Sequence, residues 1–280
     1  MAIFDSHIHL WRRADGDDIW VANKIGGLAR DFGVDEWRGH ADTCGVGGAI
    51  LVQAAHSLAE TERALALSAR EPRIVGVVGW VDLFADSLAE DVASLKVHPR
   101  LVGIRPLPPG TFGADWLGDA RSRRGLAILG AAGLTVDMLV KWPGLKQARK
   151  LLAGLPELKV VLNHCGRPDT MTGLLEPWAS DLKAFARATT ATIKLSGLIE
   201  RAGIEWTPQS LKPYIGTVIE AFGPTRVMFA TNWPVLEIGG TYEAWVQVVQ
   251  TTLADLGLSP GERDEILSGT ACRAYGVAPP

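Results

Sequence analysis

Two histidines stand two residues apart near the N-terminus, at His7 and His9, just after the apolar pair Ile3 and Phe4. In a β-strand, residues i and i+2 point to the same face, so a strand here would aim both imidazoles at one point. Two converging imidazoles suit a divalent metal ion or a shared proton-transfer site. The same spacing also arises by chance near a surface terminus, so the choice depends on the rest of the chain.

The remaining sequence alternates short apolar runs with longer segments whose apolar residues recur at helical spacing. Eight strands are predicted at residues 3–5, 48–52, 74–81, 102–105, 134–140, 160–162, 192–195 and 227–230. Helices are predicted at 58–70, 87–96, 119–132, 145–152, 174–188, 208–221 and 242–256, and residues 12–46 predict a long loop with a short helix at 35–43. This alternation implies right-handed βαβ units and a parallel sheet.

Eight such strands in 280 residues predict an α/β fold, a single (β/α)8 TIM barrel that spans residues 1–280. A doubly wound open sheet is the alternative. It would more often carry a glycine-rich GxGxxG turn after its first strand, and the sequence has no such turn there.

The C-terminal strand ends of such a barrel carry its chemistry, and this rule selects the candidate residues. The histidines at these ends are His7, His9, His56 and His164. The other candidates are Gln53, Arg105, Lys141, Arg167, Ser196, Asn232 and Trp233.

Several of these residues have two possible roles. Arg105 would either bind a substrate carboxylate through a bidentate pair or form an ion pair within the barrel with Asp82 or Asp137. Lys141 and Arg167 would extend a site for an anionic substrate or be solvated loop charges.

The other substrate-binding candidates come from loops and strand ends. Gln53 and His56 follow the second strand and would contact substrate or pack the loop. Lys194 and Ser196 lie at the end of the seventh strand, and Ser196 is favoured as the residue that faces the pocket. Trp233 is expected to form pocket wall.

Composition excludes several classes of function. The net charge is −3 and no cluster of basic residues occurs, so neither nucleic acid nor a membrane surface is an expected partner. No apolar run reaches about 18 residues, and no signal segment is visible. Three widely spaced cysteines form neither a disulfide framework nor a metal motif, which favours a cytoplasmic location. Nothing in the sequence indicates the oligomeric state.

Motifs along nearly the whole chain resemble the amidohydrolase superfamily, in particular its sugar-lactonase-like branch of fuconolactonases, rhamnonolactonases and pyrone-dicarboxylate lactonases. The motifs are DSHIHLW at 5–11, LVQA at 51–54, VVGWVDL at 77–83, GIR at 103–105, LNHCGRP at 162–168, KLSGL at 194–198 and FATNWPV at 229–235. The resemblance implies a barrel that opens a cyclic ester with water. His7, His9, His164 and the position of Asn232 would be catalytic, and a small lactone would be the substrate.

Asn232 departs from that resemblance, because the family usually has Asp at this position. An amide has no basic lone pair with which to accept a proton from water. Asn163 likewise replaces a common Asp, and no histidine ends the fifth strand. The sequence therefore predicts at most one divalent metal ion, Zn or Mn with His7 and His9 as ligands, or none.

Two other functions stay open beside lactone hydrolysis. One is a lactone isomerase, in which a substrate hydroxyl replaces water as nucleophile and needs no carboxylate to orient it. The other is an inactive barrel that only binds a ligand.

Overall fold

Eight parallel strands form one sheet in the computed structural model, which describes residues 2–16, 26–108, 115–203 and 205–280. The strands pair in chain order: β1 (Ile3–Ile8), β2 (Val46–Val52), β3 (Ile74–Gly79), β4 (Leu101–Ile104), β5 (Thr135–Met138), β6 (Val160–Leu162), β7 (Thr192–Leu195) and β8 (Val227–Phe229). A doubly wound sheet would reverse its strand order at a switch point, and this sheet does not. The predicted (β/α)8 barrel is confirmed.

Helices connect the strands as the periodicity predicts. They are α1 (Val34–Cys44), α2 (Leu58–Ser68), α3 (Leu88–Leu95), α4 (Ala120–Ala131), α5 (Leu145–Leu152), α6 (Trp178–Ala188), α7 (Pro208–Phe222) and α8 (Tyr242–Asp255), followed by α9 (Pro260–Asp264), a π-helical turn (Glu265–Gly269) and α10 (Thr270–Tyr275). None of the described helices is long and apolar enough to cross a membrane.

The predicted element boundaries mostly hold to within a few residues. The sequence reading placed α6 from residue 174, but the helix begins at Trp178, one residue after Pro177. It assigned nothing to the C-terminal helices α9 and α10. Of the predicted early loop, residues 17–25 lie outside the described part of the chain.

The barrel closes between β1 and β8 at the residues of the candidate site. The Asn232 backbone N–H donates to the His7 carbonyl oxygen at 2.9 Å, and the His9 N–H donates to the Trp233 carbonyl oxygen at 2.7 Å. Asp5 joins the same two strands, because its carboxylate accepts from the Thr231 N–H at 3.0 Å and the Thr231 hydroxyl at 2.6 Å. Closure of the sheet therefore fixes the relative positions of His7, His9 and Asn232.

A small apolar cluster separates the candidate site from the other end of the barrel. Side chains from five strands and from α10 form it: Phe4, Ile50, Val52, Val78, Val161, Met228, Ala271, Cys272 and Tyr275. Strict alternation would not place His7 on the same face as Phe4, but the β1–β2 register shifts between Asp5 and Ile8. The shift allows the apolar cluster and the histidines to share the barrel interior.

Candidate active site

Three buried histidines meet at the carboxyl ends of β1 and β6. The ring centroids of His7 and His9 are 4.7 Å apart, and those of His7 and His164 are 4.6 Å apart. All three residues are at least nine-tenths buried. The structure thus brings the histidines selected from the first and sixth strands into one cluster.

Hydrogen bonds determine where two of these rings carry their protons. Lys194 Nζ lies 3.1 Å from His7 Nδ1, and because an ammonium group can only donate, the proton of neutral His7 is on Nε2. His9 Nδ1 lies 2.8 Å from the Val52 carbonyl oxygen, which can only accept, so this Nδ1 carries the proton. The His7 Nε2–H can then donate to His9 Nε2 at 3.0 Å. One chain of hydrogen bonds therefore runs from Lys194 through His7 and His9 to the Val52 carbonyl oxygen.

Burial keeps the three imidazoles neutral. It lowers the pKa of His7 well below its ordinary value, and the nearby charge of Lys194 adds to the effect. It lowers the pKa of His9 to about 3, and it lowers the pKa of His164 well below the ordinary value together with Arg105. At neutral pH these rings are therefore N–H donors and poor bases.

A buried ion pair forms the floor beneath His7. Lys194 Nζ donates to Asp137 Oδ2 at 2.5 Å, and both side chains are fully buried. The Tyr275 hydroxyl donates to the other oxygen, Asp137 Oδ1, at 2.6 Å. Burial lowers the pKa of Lys194 to about 8, although Asp137 acts in the opposite direction. The floor places a cation directly against the histidine cluster.

Arg105 supplies a second cation at the same place. Its Nη2 donates to the Gln53 carbonyl oxygen at 2.5 Å, and its Nη1 is 3.5 Å from His7 Nε2. Burial lowers the pKa of Arg105 to about 10, so the guanidinium is still charged at neutral pH. Asp137, one of its two proposed ion-pair partners, is bonded to Lys194 and Tyr275 instead. Among the described residues, Arg105 therefore faces the histidines as a positively charged hydrogen-bond donor.

His164 sits in a tight left-handed turn. Its φ is 55°, and that of Cys165 is 53°, a region that non-glycine residues seldom occupy. Gly197 packs against it so closely that a Cβ at this glycine would lie 2.3 Å from the His164 Cβ. The ring is held from the other side by Ser196, whose Oγ is 2.9 Å from His164 Nδ1. Two residues after β7 thus position the β6 histidine.

Asn232 has a carboxylate neighbour. Its φ is 63°, which asparagine tolerates better than most residues, and its amide Nδ2 donates to Glu200 Oε1 at 2.6 Å. Its backbone N–H donates to the His7 carbonyl oxygen at 2.9 Å. Asn232 therefore joins the strand end that carries the histidines to the carboxylate of Glu200.

The histidine pair, as arranged here, does not fit a divalent metal ion. The two Nε2 atoms are 3.0 Å apart, a spacing that one ion could bridge, but Nε2 of His7 carries a proton and faces Arg105. Within the part of the chain that the structure describes, no cysteine, carboxylate or third imidazole completes a three-donor group with His7 and His9. Lys194 and Arg105, both charged at neutral pH, also oppose a third cation beside the pair.

A three-donor group does occur elsewhere, formed by Glu36, His40 and Glu237. Arg30 already binds it, because its Nη2 is 2.6 Å from a Glu36 oxygen and 3.6 Å from a Glu237 oxygen. The guanidinium neutralises the charge that a metal ion would need.

Two other selected residues lie beside the cluster. Gln53 is fully buried, and neither atom of its amide has a partner among the described residues. His56 stacks on Trp80, with ring centroids 5.8 Å apart and planes 14° apart. Gln53 thus presents an amide without a protein partner, whereas His56 is held in a stacked pair.

The three remaining selected residues have different surroundings. Lys141 is exposed. Trp233 is fully buried, packs edge-on against Phe32 and donates from its indole to Glu237 at 2.8 Å, so its ring is part of the core packing. Arg167 is partly buried, and burial lowers its pKa to about 10.

Sequence reasoning did not select four of the residues in this arrangement. Lys194 was passed over in favour of Ser196, although residues two apart on a strand share a face and both reach the interior. Asp137 was considered only as a partner of Arg105. Tyr275 and Glu200 carried no signal, because their places depend on how α10 and the turn after β7 (Ile199–Arg201) pack.

Known proteins resemble this chain along almost its full length. The sequence model of the Amidohydrolase family matches residues 4–277. An L-fucono-1,5-lactonase from Burkholderia ambifaria is 29% identical over 99% of this chain and 96% of its own length. Another, from Burkholderia multivorans, is 32% identical over the same shares of the two chains.

A solved structure extends the likeness to three dimensions. The crystal structure of an amidohydrolase from Burkholderia multivorans, obtained with bound zinc, superposes with a TM-score of 0.91 at 31% identity and covers 99% of this chain and 100% of that one. Sequence and structure agree over almost the full length, and the chain belongs to the amidohydrolase family.

Proposed function

We propose that this protein opens a small lactone of a sugar acid with water. The observation that carries the proposal is the cluster of three neutral, buried histidines flanked by the cations Lys194 and Arg105. Such a group of donors and cations stabilises negative charge that develops on a carbonyl oxygen. The lactonase activity named for the two Burkholderia relatives supports the same reaction.

The reaction divides the roles among these groups. Water adds to the lactone carbonyl, and the oxygen that gains negative charge is met by the N–H of His164 and the positive charge of Arg105. We assign the Ser196 hydroxyl as the donor to Nδ1 of His164, so that the Nε2 of that ring carries a proton for the oxyanion. The ring C–O bond then breaks, the alkoxide takes a proton, and the product is a hydroxy acid that releases one proton at neutral pH.

A substrate rich in hydroxyl groups suits the buried amide of Gln53. The amide of Gln53 offers one acceptor and two donors, and it has no partner among the described residues. A buried amide of this kind is costly unless a ligand completes its hydrogen bonds. Arg105 would bind a ring or carboxylate oxygen of the same molecule.

The test is proton release from a panel of sugar-acid 1,4- and 1,5-lactones. We expect turnover by the wild type and a loss of at least about 100-fold in kcat/KM for His164→Asn. The matched control is His98→Asn at an exposed histidine, which should retain wild-type activity. Interconversion of lactones without acid release would instead support an isomerase, and ligand-induced thermal stabilisation without turnover would support a binding protein.

The second prediction concerns metal. Because the donor set around His7 and His9 does not fit a divalent ion, we expect purified protein to contain well under one equivalent of zinc or manganese. Dialysis against a chelator should leave kcat/KM unchanged, since no proposed step needs the ion. Stoichiometric metal that is required for activity would contradict this prediction and would mean that Lys194 or Arg105 moves away when metal binds.

A further inference from the structure

Lactone hydrolysis needs a group that accepts a proton from the attacking water, and the residues described so far do not supply one. The three imidazoles are neutral with lowered pKa values, which makes them weak bases. The Asn232 amide has no basic lone pair at neutral pH. A carboxylate is the remaining common choice.

Two buried carboxylates near the cluster are already committed. Asp137 lies in the floor and has both oxygens bonded, one to Lys194 and the other to Tyr275. Asp5 accepts from Thr231 and from the Tyr242 hydroxyl at 2.9 Å, so it faces β8 and α8. Neither has an oxygen available for a water at the cluster.

Glu200 has such an oxygen. Its Oε1 is fixed by the Asn232 amide at 2.6 Å. Its Oε2 is shielded from solvent and has no hydrogen-bond partner among the residues that the structure describes. The backbone N–H of Asn232 donates to the His7 carbonyl oxygen at 2.9 Å, so a single residue connects this carboxylate to the strand end that carries the histidines.

We propose that Glu200 is the general base of this enzyme and that Asn232 is the residue that positions its carboxylate, an inference that rests on the proposed lactone hydrolysis. Glu200 Oε2 takes a proton from water while the water oxygen bonds to the carbonyl carbon. The C=O π electrons move to the oxygen, which the His164 N–H and the nearby cations stabilise. When the intermediate collapses, the ring C–O bond breaks and the proton passes from Glu200 to the alkoxide oxygen.

The electrostatic surroundings suit this task. Burial raises the pKa of Glu200 above its ordinary value, which makes it a stronger base than a surface carboxylate. The hydrogen bond from Asn232 and the charges of Arg167 and Arg201 oppose that rise in the pKa. An amide at position 232 fits this arrangement, because it donates to the base without competing for the proton.

The first test compares Glu200→Gln with the wild type on a lactone that the wild type hydrolyses. General base catalysis is worth about 10²–10⁴-fold, so kcat/KM should fall by about that factor with little change in Tm. Glu205→Gln, an exposed carboxylate in the segment before α7, is the matched control and should keep wild-type activity. Should Glu200→Gln fail to fold, Glu200→Asp keeps the charge and should show an intermediate loss.

The second test separates a base from a structural carboxylate. In the wild type, kcat/KM should fall as pH drops and Glu200 becomes protonated, and Glu200→Gln should lack this acidic limb. The double variant Glu200→Gln with Asn232→Asp exchanges the amide and the carboxylate, and we expect at least about tenfold recovery over the single variant, together with the return of an acidic limb.

Two outcomes distinguish failure of the Glu200 assignment from failure of the proposed function. If the wild type hydrolyses lactones but Glu200→Gln stays within about fivefold of it, or keeps the same acidic limb, Glu200 is not the base and the proposed function still stands. If the wild type hydrolyses none of the lactones, the proposed function fails and the assignment of Glu200 falls with it.

Discussion

Replacing Lys194 with methionine is expected to lower kcat/KM by about 100-fold and the free energy of unfolding by about 3–5 kcal/mol. Methionine keeps the length of the side chain but removes its charge. Asp137 would then be a fully buried carboxylate with only the Tyr275 hydroxyl as a partner. An uncompensated buried charge of this kind is what makes breaking a buried ion pair costly.

Activity should fall for a separate reason. The ammonium group determines which nitrogen of His7 carries the proton, and it places a positive charge beneath the developing oxyanion. Without the ammonium group, the proton of neutral His7 is no longer held on Nε2. Adding Asp137→Asn to Lys194→Met should restore most of the lost stability, because no buried charge remains, but it should not restore activity. Denaturant unfolding and kcat/KM on the same preparations check both statements.

A surface lysine provides the control. Lys183 pairs with Glu220 at 2.8 Å, where the two side chains are 34% and 67% exposed. Lys183→Met should change stability by no more than about 0.5 kcal/mol, because exposed ion pairs contribute little. A loss of under 1 kcal/mol for Lys194→Met as well would mean that the buried pair does not stabilise the floor in the way proposed.

We also expect the titration of Lys194 to make activity depend on pH. Burial lowers its pKa to about 8, so the ammonium is present below that pH and is lost as pH rises through it. Wild-type kcat/KM, corrected for the uncatalysed reaction, is therefore expected to decline above about pH 8. The Lys194→Met variant should lack this alkaline limb, and an unchanged limb would assign it to another group.

The sequence was sufficient for the barrel because strand and helix periodicities alternate over nearly its whole length. The rule that chemistry lies at carboxyl strand ends then selected His7, His9 and His164, which the structure places in contact. That rule works because parallel strands in a closed barrel end at the same rim, wherever they lie in the chain.

The same reasoning could not identify the groups that control these histidines. Tyr275 reaches Asp137 from α10, about 140 residues later in the chain. Glu200 lies in a turn whose direction depends on its packing. For Trp233, the position after β8 predicted a place in the pocket wall. In the structure its ring packs against Phe32. Local pattern determines which elements form, whereas these contacts depend on how the elements meet.

Changing Asn232 to aspartate is the second large effect we expect, and it should reduce activity. The Asn232 amide nitrogen is 2.6 Å from Glu200 Oε1, so the substitution brings two carboxylate oxygens to hydrogen-bond distance. Two such carboxylates share a proton and titrate as a pair, with one pKa strongly raised. If Glu200 is the base, the shared proton occupies the oxygen that must accept a proton from water, and we expect kcat/KM to fall by about 10- to 100-fold.

The added charge acts on the substrate as well. A second anion at the rim repels an anionic ligand and raises the free energy of the tetrahedral oxyanion, which the cations Lys194 and Arg105 otherwise stabilise. The measurement is kcat/KM for the wild type and for Asn232→Asp, each with and without added zinc or manganese. The double variant with Glu200→Gln has one carboxylate instead of two, so it should be more active than Asn232→Asp alone. A metal-dependent gain in Asn232→Asp above the wild type would contradict this view. It would indicate instead a metal hydrolase that had lost its carboxylate, with Glu200 no more than a neighbour of the vacated position.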